Sequence, residues 1–136
     1  MKRTALKRRS PLRKRRRVKS LRKRLWPTFA ALIKRRDGGC LMAGQHGACG
    51  GSLQGSHVYP KGEYPLLELY PLNCKTLCWR HHWWWHHNPL EARAWFVNTF
   101  PQAWQDQLLA TKDHSLYRKG WDEATIRTEW TQHGLM

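Results

Sequence analysis

The first 36 residues contain no Asp or Glu, against 17 Lys and Arg. A segment so one-sided has two natural partners, nucleic acid or an anionic membrane, and the second needs an amphipathic apolar face or a lipid anchor that is not evident here. The 136-residue chain has no run of about 18 apolar residues, which argues against a transmembrane helix, and no apolar signal core at its start, which argues against secretion. No phosphate-cradling glycine loop, no Ser-His-Asp order and no paired-carboxylate arrangement is present, so the commonest rival enzyme classes have no support. No internal repeat is found. These absences lead to the expectation of a cytoplasmic protein with no membrane association and one domain plus a tail.

What is present is unevenly spread. Residues 1–24 hold 14 Lys and Arg, few apolar groups and a proline, a composition that cannot repay the entropy of ordering by burial. A disordered basic arm is expected there, with Arg15, Arg16 and Arg17 among the groups that would bind phosphates and release counterions. Residues 37–136 are nearly neutral, with 8 Lys and Arg against 9 Asp and Glu. After Trp26, Pro27 suits a first helical turn, and Phe29, Ala30, Leu32 and Ile33 recur at helical spacing until Asp37-Gly38-Gly39. Leu53–Tyr59 and Leu67–Leu77 suggest two strands of a hairpin joined by the KGEYP loop. Cys78–His87 suggests a helix, and Asn88-Pro89-Leu90-Glu91 a new start with Asn88 as its cap. Two further helices are expected over Pro101–Lys112 and Asp122–His133. The fold class is α+β.

All four cysteines and six of the eight histidines fall between Cys40 and Pro89. In a reducing compartment such a cluster is better read as metal ligands than as two disulfides, although the disulfide reading stays open. A zinc knuckle needs two ligand pairs on separate turns around one tetrahedral ion. Cys40 and Cys49 form the first pair and Cys78 with His81 the second, giving a structural zinc. The first spacing, C-x8-C, is long and holds His46 as a substitute ligand, and Cys74 offers a second substitute.

His82 and His86 stand one helical turn apart on one face, the spacing that lets two imidazoles reach one ion. With His57 and Asn73 preceding them, the stretch Cys40–Pro101 resembles the HNH endonuclease superfamily, especially its small phage-type members. The landmarks are Ser56-His57-Val58, Pro71-Leu72-Asn73, Leu77-Cys78, His82-x3-His86 and Asn88-Pro89-Leu90-Glu91. The resemblance implies a ββα-metal core with a zinc knuckle, flanked by an N-terminal helix and C-terminal helices. It divides residues 25–136 into a nuclease core over 40–101 and a helical extension over 102–136. It also implies roles. His57 would be the general base, Asn73 would hold the hairpin and orient the base, and His82 and His86 would ligate a catalytic divalent ion, Mg²⁺, Mn²⁺, Ni²⁺ or Zn²⁺.

Two positions depart from the family pattern. His81 stands where a fourth zinc-binding cysteine is common, and Ser56 where many members place a metal-binding Asp or His, so Ser56 is an uncertain ligand. Lys61, Lys75 and Arg80 are candidates for phosphate contact beside the site. Trp83, Trp84 and Trp85 pack the C-terminal helices or, for one of them, touch DNA or a partner. The expected function is metal-dependent hydrolysis of DNA phosphodiester bonds with little sequence readout, and phage packaging or recombination proteins are partners by resemblance only. The alternative is a zinc-binding nucleic-acid module without catalysis.

Overall fold

The computed structural model describes residues 11–115 and 121–136, with the side chains of 11–19 and Ser115 outside the description. Among the described residues it holds five α-helices, two single-turn 3-10 helices and one two-stranded antiparallel sheet, an α+β arrangement. The chain opens with a long helix, α1 (Pro11–Asp37), which continues unbroken through Pro27. The expected helix start at Pro27 and the expected disorder of residues 11–24 are therefore corrected. Residues 1–10 of that arm lie outside the described residues.

The reason lies in a stripe that the charge count hides. Leu21, Leu25, Phe29 and Ile33 recur every four residues on both sides of Pro27, and all pack into one cluster with Leu69, Ile126, Trp130 and Leu135. Arg, Lys and Leu are also good helix formers, so the basic stretch propagates what the stripe anchors. Burying this stripe offsets the cost of roughly 3 kcal/mol for a proline inside a helix. Phe29 stacks on Trp130 with ring centroids 5.5 Å apart. At its far end α1 is tied to the sheet, where the Asp37 carboxylate accepts the Thr76 N–H at 2.8 Å and Arg36 donates to the carbonyls of Pro71 and Cys74.

Strand β1 (Leu53–His57) pairs with β2 (Cys74–Cys78) in the register Leu53↔Cys78 through His57↔Cys74. The second strand expected over Leu67–Leu77 is thus shorter. Two prolines, Pro65 and Pro71, each start a single-turn 3-10 helix, at Pro65–Leu67 and Pro71–Asn73, and the strand begins only at Cys74. The intervening loop is tethered from outside by tryptophan indoles: Trp130 Nε1 donates to the Leu69 carbonyl and Trp104 Nε1 to that of Leu72, each at 2.8 Å.

Helix α2 (Trp79–His87) follows β2 directly, then come α3 (Pro89–Thr99), α4 (Gln102–Ser115) and α5 (Glu123–Gln132). Asn88 does not cap α3 with its side chain as expected. Its amide instead donates backwards to the Trp84 carbonyl at 2.9 Å, closing α2, while Pro89 opens α3. Asp122 does cap α5, accepting the Thr125 N–H at 2.8 Å. No described helix is long and apolar enough to cross a membrane.

Because Phe29 is fully buried and joins α1 to α5, Phe29→Ala is expected to cost about 3–5 kcal/mol. Urea unfolding checks this, and a loss under 1 kcal/mol would show that α1 is not docked.

Candidate metal centre and active-site cleft

The junction between β2 and α2 brings four donors to one point. Cys78 ends the strand and is also the N-cap of α2, its sulfur accepting the His81 N–H at 3.4 Å. The loop from Cys40 to Gly51 wraps over this junction, pinned by Leu41 N to Thr76 O at 3.0 Å on one side and by Arg80 N to Gly50 O at 3.0 Å on the other. As a result the sulfurs of Cys40, Cys49 and Cys78 lie 3.3, 3.5 and 3.1 Å from His81 Nδ1. The four donor atoms are all within 4.8 Å of one another. Edges of a tetrahedron built on bonds of 2.0–2.3 Å are roughly 3.5 Å. Cys40, Cys49, Cys78 and His81 are therefore close enough to hold a metal ion, and the donor set is consistent with a structural zinc.

The far side of the His81 ring supports that assignment. Nε2 donates to the carbonyls of Gln45 and Gly47, at 2.7 and 3.1 Å, which fixes the tautomer and leaves the Nδ1 lone pair facing the sulfurs. The long C-x8-C spacing thus has a use, since the extra residues carry the carbonyls that orient the fourth ligand. Burial disfavours the Cys78 thiolate, but N–H groups of His81 and Gly50 outweigh it and bring the thiol down to about 6.

Neither substitute ligand reaches this centre. His46, at φ 50, is exposed and stacks on Trp84 at 4.2 Å. Cys74 is buried at the other end of β2 in the cluster of α1, and that burial pushes its thiol up to about 12. None of the four cysteines forms a disulfide.

A second set of side chains meets in an open cleft of about 1070 Å³ lined by His57, His82 and His86. His82 Nδ1 donates to Gln54 Oε1 at 2.7 Å, which turns the Nε2 lone pair of His82 toward His86 Nε2, 3.0 Å away. Burial first, then the neighbouring His86 and Lys75, lower His82 to about 4, so it is a free base at neutral pH, as ligation requires. The two Nε2 atoms thus face each other at 3.0 Å in the open cleft.

His57 ends β1 beside this pair. Its Nε2 donates to the Glu68 carbonyl at 2.9 Å, so Nδ1 carries the lone pair. Burial, with the charges of Lys75 and Lys61, lowers its pKa to about 4 against the effect of the Glu68 carbonyl. The imidazole is neutral across the physiological range. Asn73 touches none of these groups directly. It is buried and clamps the loop, accepting Tyr59 N at 2.8 Å and donating to the carbonyls of Tyr59 and Leu67 at 3.0 Å. It thereby holds the loop whose Glu68 carbonyl meets His57.

One expectation is corrected here. Lys75 does not contact phosphate, because it is wholly buried on β2. Its ammonium donates to Ser56 Oγ at 3.0 Å and lies 3.4 Å from the centroid of the Trp85 ring. Ser56, the uncertain ligand, is buried with its hydroxyl bonded to Lys75 and so is engaged away from the histidine pair. Lys61 and Arg80 are exposed as expected, and Lys61 lines the cleft together with Lys34 and Arg93. Arg15, Arg16 and Arg17 fall on α1, with side chains outside the described residues. Sequence reasoning missed Gln54 and the Glu68 carbonyl, since no spacing rule marks a strand amide or a loop carbonyl as the partner of a histidine.

Compared with protein-family models, curated proteins and solved structures, the chain matches none.

Two outcomes follow. Purified protein is expected to carry one equivalent of zinc by elemental analysis, lost in Cys78→Ser and His81→Ala but retained in Cys74→Ser; loss in Cys74→Ser would place the site elsewhere. Burial lowers Lys75 from 10.5 to about 7. Between those values the unfolded chain binds more protons than the folded one, so this lysine makes stability rise with pH. The urea midpoint should climb more steeply from pH 7 to 9 in the wild type than in Lys75→Met, whereas parallel curves would mean that Lys75 titrates as in water.

Proposed function

We propose that the protein is a small metal-dependent DNA endonuclease of HNH type, with a ββα-metal core formed by β1, β2 and α2. The observation that carries this reading is the convergence, in one basic-rimmed cleft, of a neutral histidine with its Nδ1 lone pair unengaged by the Glu68 hydrogen bond and a histidine pair whose Nε2 atoms are 3.0 Å apart. The order of those residues along the chain is the order of the HNH landmarks. The basic helix α1 and the cleft cations Lys34, Lys61 and Arg93 supply sequence-independent attraction for a phosphate backbone.

In this reading His82 and His86 hold the catalytic ion, and Cys40, Cys49, Cys78 and His81 hold a structural zinc. A divalent ion bound by the pair would neutralise charge developing on the phosphoryl and leaving oxygens. His57 Nδ1 accepts a proton from water as the oxygen bonds to phosphorus, and the bond from phosphorus to the leaving sugar oxygen breaks. The Glu68 carbonyl keeps the reactive nitrogen of His57 unprotonated and aimed, and the Asn73 clamp keeps that carbonyl in place. Gln54 does the same for His82.

One observation favours a second reading, a zinc-binding nucleic-acid module without catalysis. Position 56 is a serine, which has no carboxylate to strengthen the pair's hold on an ion, and its hydroxyl is already bonded to Lys75.

Nicking of supercoiled plasmid at low salt with Mg²⁺, Mn²⁺, Ni²⁺ or Zn²⁺ separates the two. The wild type is expected to nick only when a divalent ion is added, and His57→Ala to lose about 10²–10⁴-fold in rate at equal plasmid binding. Plasmid that is bound but intact under every ion would favour the module.

A further inference from the structure

Helix α2 presents a second functional face beside the histidine pair. Trp79 and Trp83, one turn apart, are 54% and 53% exposed, while Trp85 is buried and Trp84 is covered by His46. At about 100° per residue, His86 falls within roughly 60° of both exposed indoles. Two half-exposed tryptophans in register are a costly surface for a chain to maintain, and they border the proposed metal site.

Both rings are held in place. Gly51, at φ +80, lies so close under Trp79 that an added Cβ would come within 2.6 Å of the tryptophan Cβ, so the loop of the metal centre backs the root of this side chain. Trp83 stacks on His87 with centroids 3.8 Å apart and planes 18° apart, and His87 Nδ1 bonds the Trp83 carbonyl at 2.7 Å. One face of Trp83 is thus occupied and the other offered. Arg80 is exposed on the same helix, with its side chain running past Gly50. From Cys74 to His87 the sequence contains Lys, Arg and four histidines but no Asp or Glu.

We infer that Trp79 and Trp83 form a stacking platform for unpaired bases of a nucleic acid whose backbone is drawn to the adjacent cleft. Flat aromatic rings interleaved with cations and free of carboxylates match the needs of single strands, where each base has an open π-face and each phosphate a charge. A closed duplex hides its base faces, so the platform selects DNA with a single-stranded segment at the cut: a flap, a gap or a frayed end. This deepens the endonuclease reading by naming its substrate form. It rests on α2 facing nucleic acid and not on cleavage itself.

The test is binding without added divalent ion, by fluorescence anisotropy of labelled oligothymidine and of a blunt duplex of equal length. Trp79→Ala/Trp83→Ala is expected to weaken single-strand affinity by at least about tenfold, at an unchanged salt slope, because base stacking contributes about 1–3 kcal/mol per base. Duplex affinity should move by less than about twofold. Trp79→Phe/Trp83→Phe should restore most single-strand binding, and unchanged zinc content and circular dichroism in both variants guard against misfolding. Equal losses on both probes would overturn the inference by showing a structural or phosphate-directed role. No loss on either would overturn it too, and would leave the strip to a protein partner or a second copy of the chain. Plasmid nicking by the same double variant keeps the two proposals separate, since a chain that never cleaves can still stack bases, and one that cleaves can lack the platform.

Discussion

Cys78 is the point on which the rest of the molecule depends. One residue ends β2, caps α2 and donates a sulfur to the cluster with Cys40, Cys49 and His81. An ion held there would fix the direction in which α2 leaves the sheet, and that direction decides where His82 and His86 point. A two-stranded sheet is marginal alone. Here it is flanked at one end by the Cys/His cluster and tied at the other by Asp37 and Arg36 of α1.

Three histidines of the junction and cleft are oriented by uncharged partners. His81 is oriented by two carbonyls, His57 by the Glu68 carbonyl and His82 by the Gln54 side chain. Each partner engages one ring nitrogen and leaves the other to face the cluster or the cleft, as the proposed roles would need. Beneath them sits Lys75, a buried cation resting on Trp85 and Ser56. Its charge helps to keep His57 and His82 unprotonated. The C-terminal helices act at one remove, since the indoles of Trp104 and Trp130 hold the loop that carries Glu68.

The Cys/His cluster was legible because ligand chemistry is local: residue type and spacing nearly suffice once a strand-to-helix junction is recognised. Its unusual spacing became intelligible only from the carbonyls of Gln45 and Gly47. The helices α4 and α5 were legible from periodicity and, for α5, its Asp122 cap. Composition misled over residues 11–24, where the high charge concealed that Leu21 and Leu25 extend the stripe of Phe29 and Ile33. The second strand was overextended because Leu67–Leu72 are apolar for a different reason, as turns packed under tryptophans. Lys75 looked like a surface charge because nothing in one sequence reveals that a lysine ends over an indole.

The proposed function requires a second, open ion position at His82 and His86, beside the closed cluster of Cys40, Cys49, Cys78 and His81 at the β2–α2 junction. Anomalous diffraction from crystals of the zinc protein soaked in Mn²⁺ with a phosphodiester oligonucleotide tests it most directly. A zinc peak is expected among Cys40, Cys49, Cys78 and His81, with a separate manganese peak about 2.2 Å from Nε2 of both His82 and His86. A zinc peak alone, with the histidine pair bare beside bound oligonucleotide, would contradict it.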